Sequence, residues 1–160
     1  MRDIKFRGKK INYGEWIYGV PVFDGDKAWI VKRIGDNFSA DEVHPESVGE
    51  YTGLKDSKST AEFPDGQEIY EDDISKKKEM LFPLHGTRTG IVKYIDGSYL
   101  LEDLDGKDGD YLFSESAEIT VIGNIHDNPE LLQPPREGRG CLYDIIQSGL
   151  NLYREDDKFE

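Results

Sequence analysis

One cysteine, Cys141, is the only thiol in the chain. A lone cysteine excludes an internal disulfide framework and a cysteine-rich zinc site, and it fits a reducing compartment such as the cytoplasm. Nowhere does an apolar run approach the roughly 18 residues that mark a membrane-spanning helix. The N-terminal residues carry charge at Arg2, Asp3, Lys5, Arg7, Lys9 and Lys10 with no apolar stretch among them, so no secretory signal is expected. Catalytic phrases are missing as well: there is no Gly-x-Ser-x-Gly elbow, no Walker-type phosphate loop and no dinucleotide-binding fingerprint. The three histidines, His44, His85 and His126, lack the i, i+4 spacing and the neighbouring cysteines of a zinc site.

Basic residues are also in short supply, 20 against 33 acidic ones, which leaves a net charge of -13. A general nucleic-acid binder is disfavoured, because affinity for the phosphate backbone comes from Lys and Arg releasing condensed counterions. The deficit is uneven. Residues 1–48 hold 8 basic and 8 acidic side chains, residues 49–132 hold 8 and 19, and residues 133–160 hold 4 and 6. The acidity therefore belongs to the central region, where it aids solubility or attracts a basic partner.

What the chain does have is the vocabulary of strands and turns. Its apolar fraction of 36% and aromatic fraction of 11%, with nine tyrosines, supply enough burial for a folded protein. Ile4 and Phe6 alternate with charged residues, and Trp16–Phe23 is aromatic and β-branched, so both are expected as strands. Asp24-Gly25-Asp26-Lys27 is a hairpin turn, and Ala28–Ile34 returns as the next strand. The segment from Gly35 to Glu50 reads as an extended connection with one short strand at most, and residues 55–67 as a loop. Ser75-Lys76-Lys77-Lys78-Glu79 reads as a charged stretch, and Gly86-Thr87-Arg88-Thr89-Gly90 as a loop into a strand. Four more strands are expected at Thr89–Ile95, Ser98–Leu101, Tyr111–Phe113 and Ile119–Ile125.

Short strands at this spacing predict a mainly β fold of small barrel-like or meander lobes. The expected organisation is an N-terminal lobe over 1–50, an acidic lobe over 51–132 sharing a core with it, and a tail over 133–160. Within the tail, Leu142, Ile145, Ile146 and Leu150 recur at helical spacing, which predicts one short helix over about 140–150. Such a helix either docks on its own body or offers a contact for a homo-oligomer.

Three groups of residues invite a chemical reading. Asp103, Asp105, Asp108 and Asp110 crowd one Asp- and Gly-rich segment and are the candidate metal ligands. Counted from Asp103, however, the fifth and sixth positions are Lys107 and Asp108 and the twelfth is Ser114, so the register of a calcium loop fails. Glu71-Asp72-Asp73 is a second acidic knot, in which Asp73 reads as a cap on backbone N–H groups rather than a catalytic acid. Tyr13, Trp16, Tyr18, Phe23 and Trp29 lie near Lys9, Lys10, Lys32 and Arg33, the mixture used to stack single-stranded bases, although core packing explains alternate aromatics more simply.

Four phrases, Met1–Arg7, Glu50–Asp56, Gln67–Ile74 and Val121–Leu132, resemble the YopX family of phage and prophage proteins. The resemblance implies a mostly β protein acting in the cytoplasm of a bacterial host, with no assigned enzyme activity, no cofactor and no catalytic residues to carry over. In the family pattern Glu-Gly-Asp-Ile is common where this chain has Glu71-Asp72-Asp73-Ile74, so position 72 is expected to need a positive φ. The loop at 57–66 is longer than the family's tight Lys-Asn-Gly turn. Thr52, Gly53, Asp56 and Asp73 are expected to fix the turns that join the lobes. The function expected on these grounds is that of a non-enzymatic accessory protein binding a host or phage protein. The alternatives are a small metal-dependent enzyme or nucleic-acid-processing factor using the Asp-rich segments, and a single-strand binder using the N-terminal aromatics.

Overall fold

Asp and Gly set the hairpins. A two-residue hairpin loop needs positive φ at one or both central positions, which Gly tolerates freely and Asp better than most residues. In the computed structural model, which describes residues 4–80 and 86–133, Gly25 (φ 60°) and Gly35 (φ 59°) open two such loops, and Asp96 (φ 50°) with Gly97 (φ 85°) forms a third. The first six strands are β1 (Phe6–Lys9), β2 (Trp16–Asp24), β3 (Lys27–Ile34), β4 (Asn37–Val43), β5 (Gly49–Lys55) and β6 (Glu68–Tyr70), with the first two of these loops joining β2 to β3 and β3 to β4. Five more follow: β7 (Asp73–Glu79), β8 (Gly86–Ile95), β9 (Ser98–Asp103), β10 (Gly109–Tyr111) and β11 (Ala117–Asn124).

The strands make two antiparallel sheets, ordered β4-β3-β2-β1-β5-β6 and β10-β9-β8-β7-β11. The mainly β expectation holds, and so does the meander: β2, β3 and β4 are successive neighbours, as are β7, β8, β9 and β10. The barrel does not, because neither sheet closes. In the second sheet β10 pairs only over Gly109–Tyr111, and the next residue, Leu112, turns fully inward with its N–H on the Tyr99 carbonyl. The chain thus leaves the sheet before it could pair with β11. Helical structure among the described residues is confined to two 3-10 turns, Pro45–Ser47 and Pro129–Leu132, and no helix there is long and apolar enough to cross a membrane. The helix expected over 140–150 lies outside the described residues.

Each sheet owns a core. Ile17, Ala28, Ile30 and Val43 pack together in the first, with Phe6 and Val48 against them. In the second, Val92, Leu101, Leu112 and Ile119 gather around Ile69, which comes from β6 of the first sheet, and Leu54 of β5 leans on the same cluster. Burying an aliphatic side chain of this size is worth about 1.5–3 kcal/mol, so Ile69 and Leu54 tie β5 and β6 to the second core. The lobe boundary expected at residue 50 accordingly falls inside β5.

Two segments read as irregular are strands. β4 runs for seven residues although its side chains are mostly solvated. β7 contains Lys76-Lys77-Lys78 and sits between β8 and β11. Period-2 alternation explains it: Asp73, Ser75 and Lys77 point to the buried face while Lys76 and Lys78 point to solvent. Gly86–Gly90, expected as a loop, is the first half of β8. Gly19 is where β2 passes from pairing with β1 to pairing with β3, and the backbones approach too closely for a side chain: a Cβ there would lie 2.3 Å from the Val31 carbonyl oxygen.

Candidate functional site

The two sheets meet around Arg7. It lies on β1 opposite Tyr18 and is buried, with its guanidinium carbon 4.5 Å from the centre of the Trp16 ring and 4.8 Å from that of Tyr70. Arg is suited to this position because its flat, weakly hydrated cation stacks between aromatic faces while its N–H fork points outward. One Nη donates to Asp73 Oδ1 at 2.6 Å and to the Glu71 carbonyl at 3.2 Å. Asp73 Oδ2 accepts the Tyr70 N–H at 2.8 Å. The structural reading of Asp73 as a cap is therefore correct, and the sequence gave no sign of its cationic partner, 66 residues away. Burial raises the Asp73 carboxyl above the ordinary carboxylate value, against the pull of Arg7 and the Tyr70 amide.

The turn that delivers Asp73 is strained at the position singled out by the family pattern: Asp72 has φ 65°. Its backbone ties three segments, donating to the Val92 carbonyl and accepting from the Ile125 N–H, and its carboxylate accepts from Lys93 Nζ at 2.9 Å. Thr52 and Gly53, expected to fix turns, lie instead within β5 where its pairing with β6 is irregular: Thr52 Oγ1 donates to the Ile69 carbonyl and Gly53 has φ 85°. Asp56 accepts the N–H groups of Lys58, Gln67 and Val121, closing the base of the 57–66 loop onto β11.

Beside Arg7 opens a cleft of roughly 470 Å³, lined chiefly by Lys5, Tyr18, Lys55, Phe63, Glu68 and Tyr70. Glu68 is spoken for: one carboxylate oxygen binds Lys5 Nζ and the other accepts the Tyr70 hydroxyl at 2.8 Å. Burial would raise its pKa, but the hydrogen bonds from Lys5 and Tyr70 outweigh it and hold the carboxyl low. Burial and the bond to Glu68 push the Tyr70 phenol up.

On the other side of Arg7, Asp127 ties the end of the described chain to β1 and β2. It accepts from Lys9 Nζ at 2.6 Å, Trp16 Nε1 at 2.7 Å and Asn124 Nδ2 at 2.9 Å. Burial alone would raise its pKa; these three donors overcome that and bring it down to about 2. His126 packs its ring against Trp16, at 5.8 Å between centroids, with Nε2 3.7 Å from Asp72 Oδ2. His44 faces Glu46 at 3.6 Å, and His85 lies outside the described residues.

The four candidate metal ligands on the β9–β10 hairpin face cations instead of one another. Arg88 lies 3.4 Å from Asp103 and 3.2 Å from Asp108, Lys107 lies 3.7 Å from Asp105, and Lys77 reaches Asp110 at 2.7 Å. Among the described residues no three His, Cys, Asp or Glu side chains are placed to share a metal ion. A divalent ion at Asp103 and Asp108 would have to displace Arg88. Lys77 was hidden in the sequence by its lysine neighbours. Its side chain is buried, and its ammonium binds Asp110, Glu79 and the Tyr111 carbonyl, which holds Asp110 low.

The N-terminal aromatics divide between two faces. Trp16, Tyr18 and Trp29 share one face of the first sheet, while Phe23 points to the other. On the first of these faces, cross-strand pairing lines up Val20 with Val31 and Ala40, Val22 with Trp29, and Arg33 with Phe38. Tyr18 (51% exposed), Val20 (63%), Val22 (47%) and Phe38 (74%) stand open to solvent.

A comparison of the sequence with protein families matches the YopX protein model over residues 5–133. The chain belongs to the YopX family. Among solved structures, that of the YopX protein of Bacillus subtilis matches with a TM-score of 0.51 at 17% identity, covering 85% of this chain and all of that one. A protein from Enterococcus faecalis matches with a TM-score of 0.49 at 24% identity, covering 83% of this chain and all of that one. No curated protein matches. At 17% identity the likeness to the Bacillus subtilis structure shows the fold alone, and the Arg7 junction is described from this chain's own geometry.

Proposed function

We propose that this YopX-family protein is a non-enzymatic accessory protein encoded by a phage or prophage. In this reading it acts in the bacterial cytoplasm by binding another protein through the open face of β2, β3 and β4. One observation supports this most: Val20, Val22, Val31, Trp29 and Phe38 form a contiguous apolar surface on a sheet whose opposite face already holds the core. Scattered exposed apolar residues are ordinary on a soluble protein, but a patch aligned across three strands favours a partner. The ionisable residues favour the same reading, since the carboxylates described above are engaged with Lys, Arg or backbone donors, which gives them structural work.

The test is site-specific photo-crosslinking in host cells with a benzophenone amino acid at Val22, and with Asp105 as the control position. A discrete higher-mass adduct from Val22, absent from Asp105, supports the reading. Equal labelling from both positions, or none from Val22, contradicts it.

A further inference from the structure

The cleft beside Arg7 has a charge opposite to that of the molecule around it. Its lining includes Lys5, Arg7, Lys55 and Glu68; Arg7 is matched by Asp73 and Lys5 by Glu68, which leaves the charge of Lys55 over, in a chain whose net charge is -13. Both oxygens of the Glu68 carboxylate are engaged, by Lys5 and by the Tyr70 hydroxyl. Lys55 is exposed and makes no ion pair with a described residue. The charge of Arg7 is matched by Asp73, but its buried Nε–H has no acceptor among the described residues.

The walls are aromatic. Tyr18 is half exposed, Phe63 is 38% exposed on the 57–66 loop, and Tyr70 forms the inner wall with its ring centre 5.7 Å from that of Tyr18. Gln67 adds a carboxamide able to donate and accept. The volume, roughly 470 Å³, lies within the range of about 300–1,000 Å³ that holds small molecules. Cations beside aromatic faces recognise two things at once: the faces stack on a flat ring, and the amines pair with an anion.

We propose that this cleft binds a small molecule in which a flat aromatic ring carries a phosphate or a carboxylate. The ring lies against Tyr18 and Phe63, and the anion meets Lys55 and the edge of the Lys5–Glu68 pair. This site is separate in chemistry from the apolar face of β2 to β4, although Tyr18 borders both. It stands whether or not that face binds a protein.

The experiment is a titration of the full chain followed by amide chemical shifts in ¹⁵N–¹H spectra, using four probes in turn: 5′-AMP, adenosine, inorganic phosphate and 4-hydroxybenzoate. The expected result is a saturable shift with 5′-AMP or 4-hydroxybenzoate, with a Kd of about 1 mM or tighter, centred on Lys55, Gly66, Gln67 and Tyr70. Preference for 5′-AMP assigns the anion to a nucleotide, and preference for 4-hydroxybenzoate assigns it to an aromatic acid. Adenosine and phosphate alone should bind at least about tenfold more weakly than the better of those two. Lys55→Ala and Tyr18→Ala should each weaken binding by about three- to tenfold while leaving the rest of the spectrum in place. No saturable shift from either ring-bearing anion up to about 10 mM overturns the proposal. So do adenosine or phosphate matching the better probe, shifts centred away from the cleft, or variants that bind as the parent does.

Discussion

The Arg7 guanidinium lies 2.6 Å from the Asp73 carboxylate with both side chains buried, and this one bond joins the first strand of one sheet to the first strand of the other. The Trp16 and Tyr70 rings flank the cation, so water is excluded from the pair. A buried pair of this kind is costly to break and cheaper to replace whole.

Removing either partner should therefore destabilise strongly. Arg7→Ala and Asp73→Ala are each expected to cost about 3–5 kcal/mol in urea denaturation, since each strands a buried charge. Arg7→Lys should recover little, because an ammonium lacks the flat guanidinium face that stacks between the Trp16 and Tyr70 rings. The double variant Arg7→Met with Asp73→Leu should be more stable than either alanine variant. Additive losses would show that the pair is not coupled.

Lys77 makes a second case of a cation set into a sheet. Lys77→Met keeps the buried stem and should cost about 1–2 kcal/mol for the lost bonds to Asp110 and the Tyr111 carbonyl. Lys77→Glu places a third acid against Glu79 and Asp110 and should prevent stable folding. Circular dichroism melts of the two variants check the order. Equal losses would mean that the head group's charge is irrelevant.

At Asp72 the backbone decides. A non-glycine residue at φ 65° carries a cost of about 1 kcal/mol, which glycine relieves. Asp72→Gly loses the partly exposed bond to Lys93 and gains that relief, so its melting temperature should stay close to the parent's. Asp72→Ala loses the bond without relief and should cost about 1–2 kcal/mol. Comparable melting temperatures for the two variants would contradict the strain.

The pH dependence follows from Asp127. Its pKa in the folded chain is about 2, below the ordinary 3.8, so the folded state releases the proton more readily than the unfolded one. The stabilisation is complete above the ordinary value and is lost as pH falls from there toward 2. The stability gap between the parent and Asp127→Asn should therefore be constant above about pH 5 and shrink as pH falls through about 2. A gap that widens on acidification would reverse the assignment. Glu68 and Asp110, both held low, act in the same direction.

Local chemistry was legible in the sequence and distant partnership was not. Asp24-Gly25 was readable because a turn is specified by the residues inside it, and the positive φ at position 72 because glycine is common there in the family pattern. The β4 strand was missed because its side chains are mostly solvated, although Gly35-Asp36 repeats the Gly25-Asp26 pattern and was the available signal. The lysine triplet concealed Lys77, whose acceptor at Asp110 lies 33 residues on. At the candidate site, Asp73 was correctly read as a cap, whereas its ion pair with Arg7 spans 66 residues and leaves no local mark. The Asp-rich hairpin looked like a ligand cluster because the sequence did not show that Arg88 and Lys77 stand against it.

Most direct is a quantitative pull-down from cells that encode this chain, with the parent chain and the double variant Val20→Glu with Phe38→Glu as baits. Both substitutions fall on exposed positions of the open face, so the double variant should unfold within about 1 kcal/mol of the parent. The expected result is a protein reproducibly enriched on the parent and lost from the variant. The same enrichment on both baits, or no enriched protein on the parent, would contradict a role in protein binding through this face.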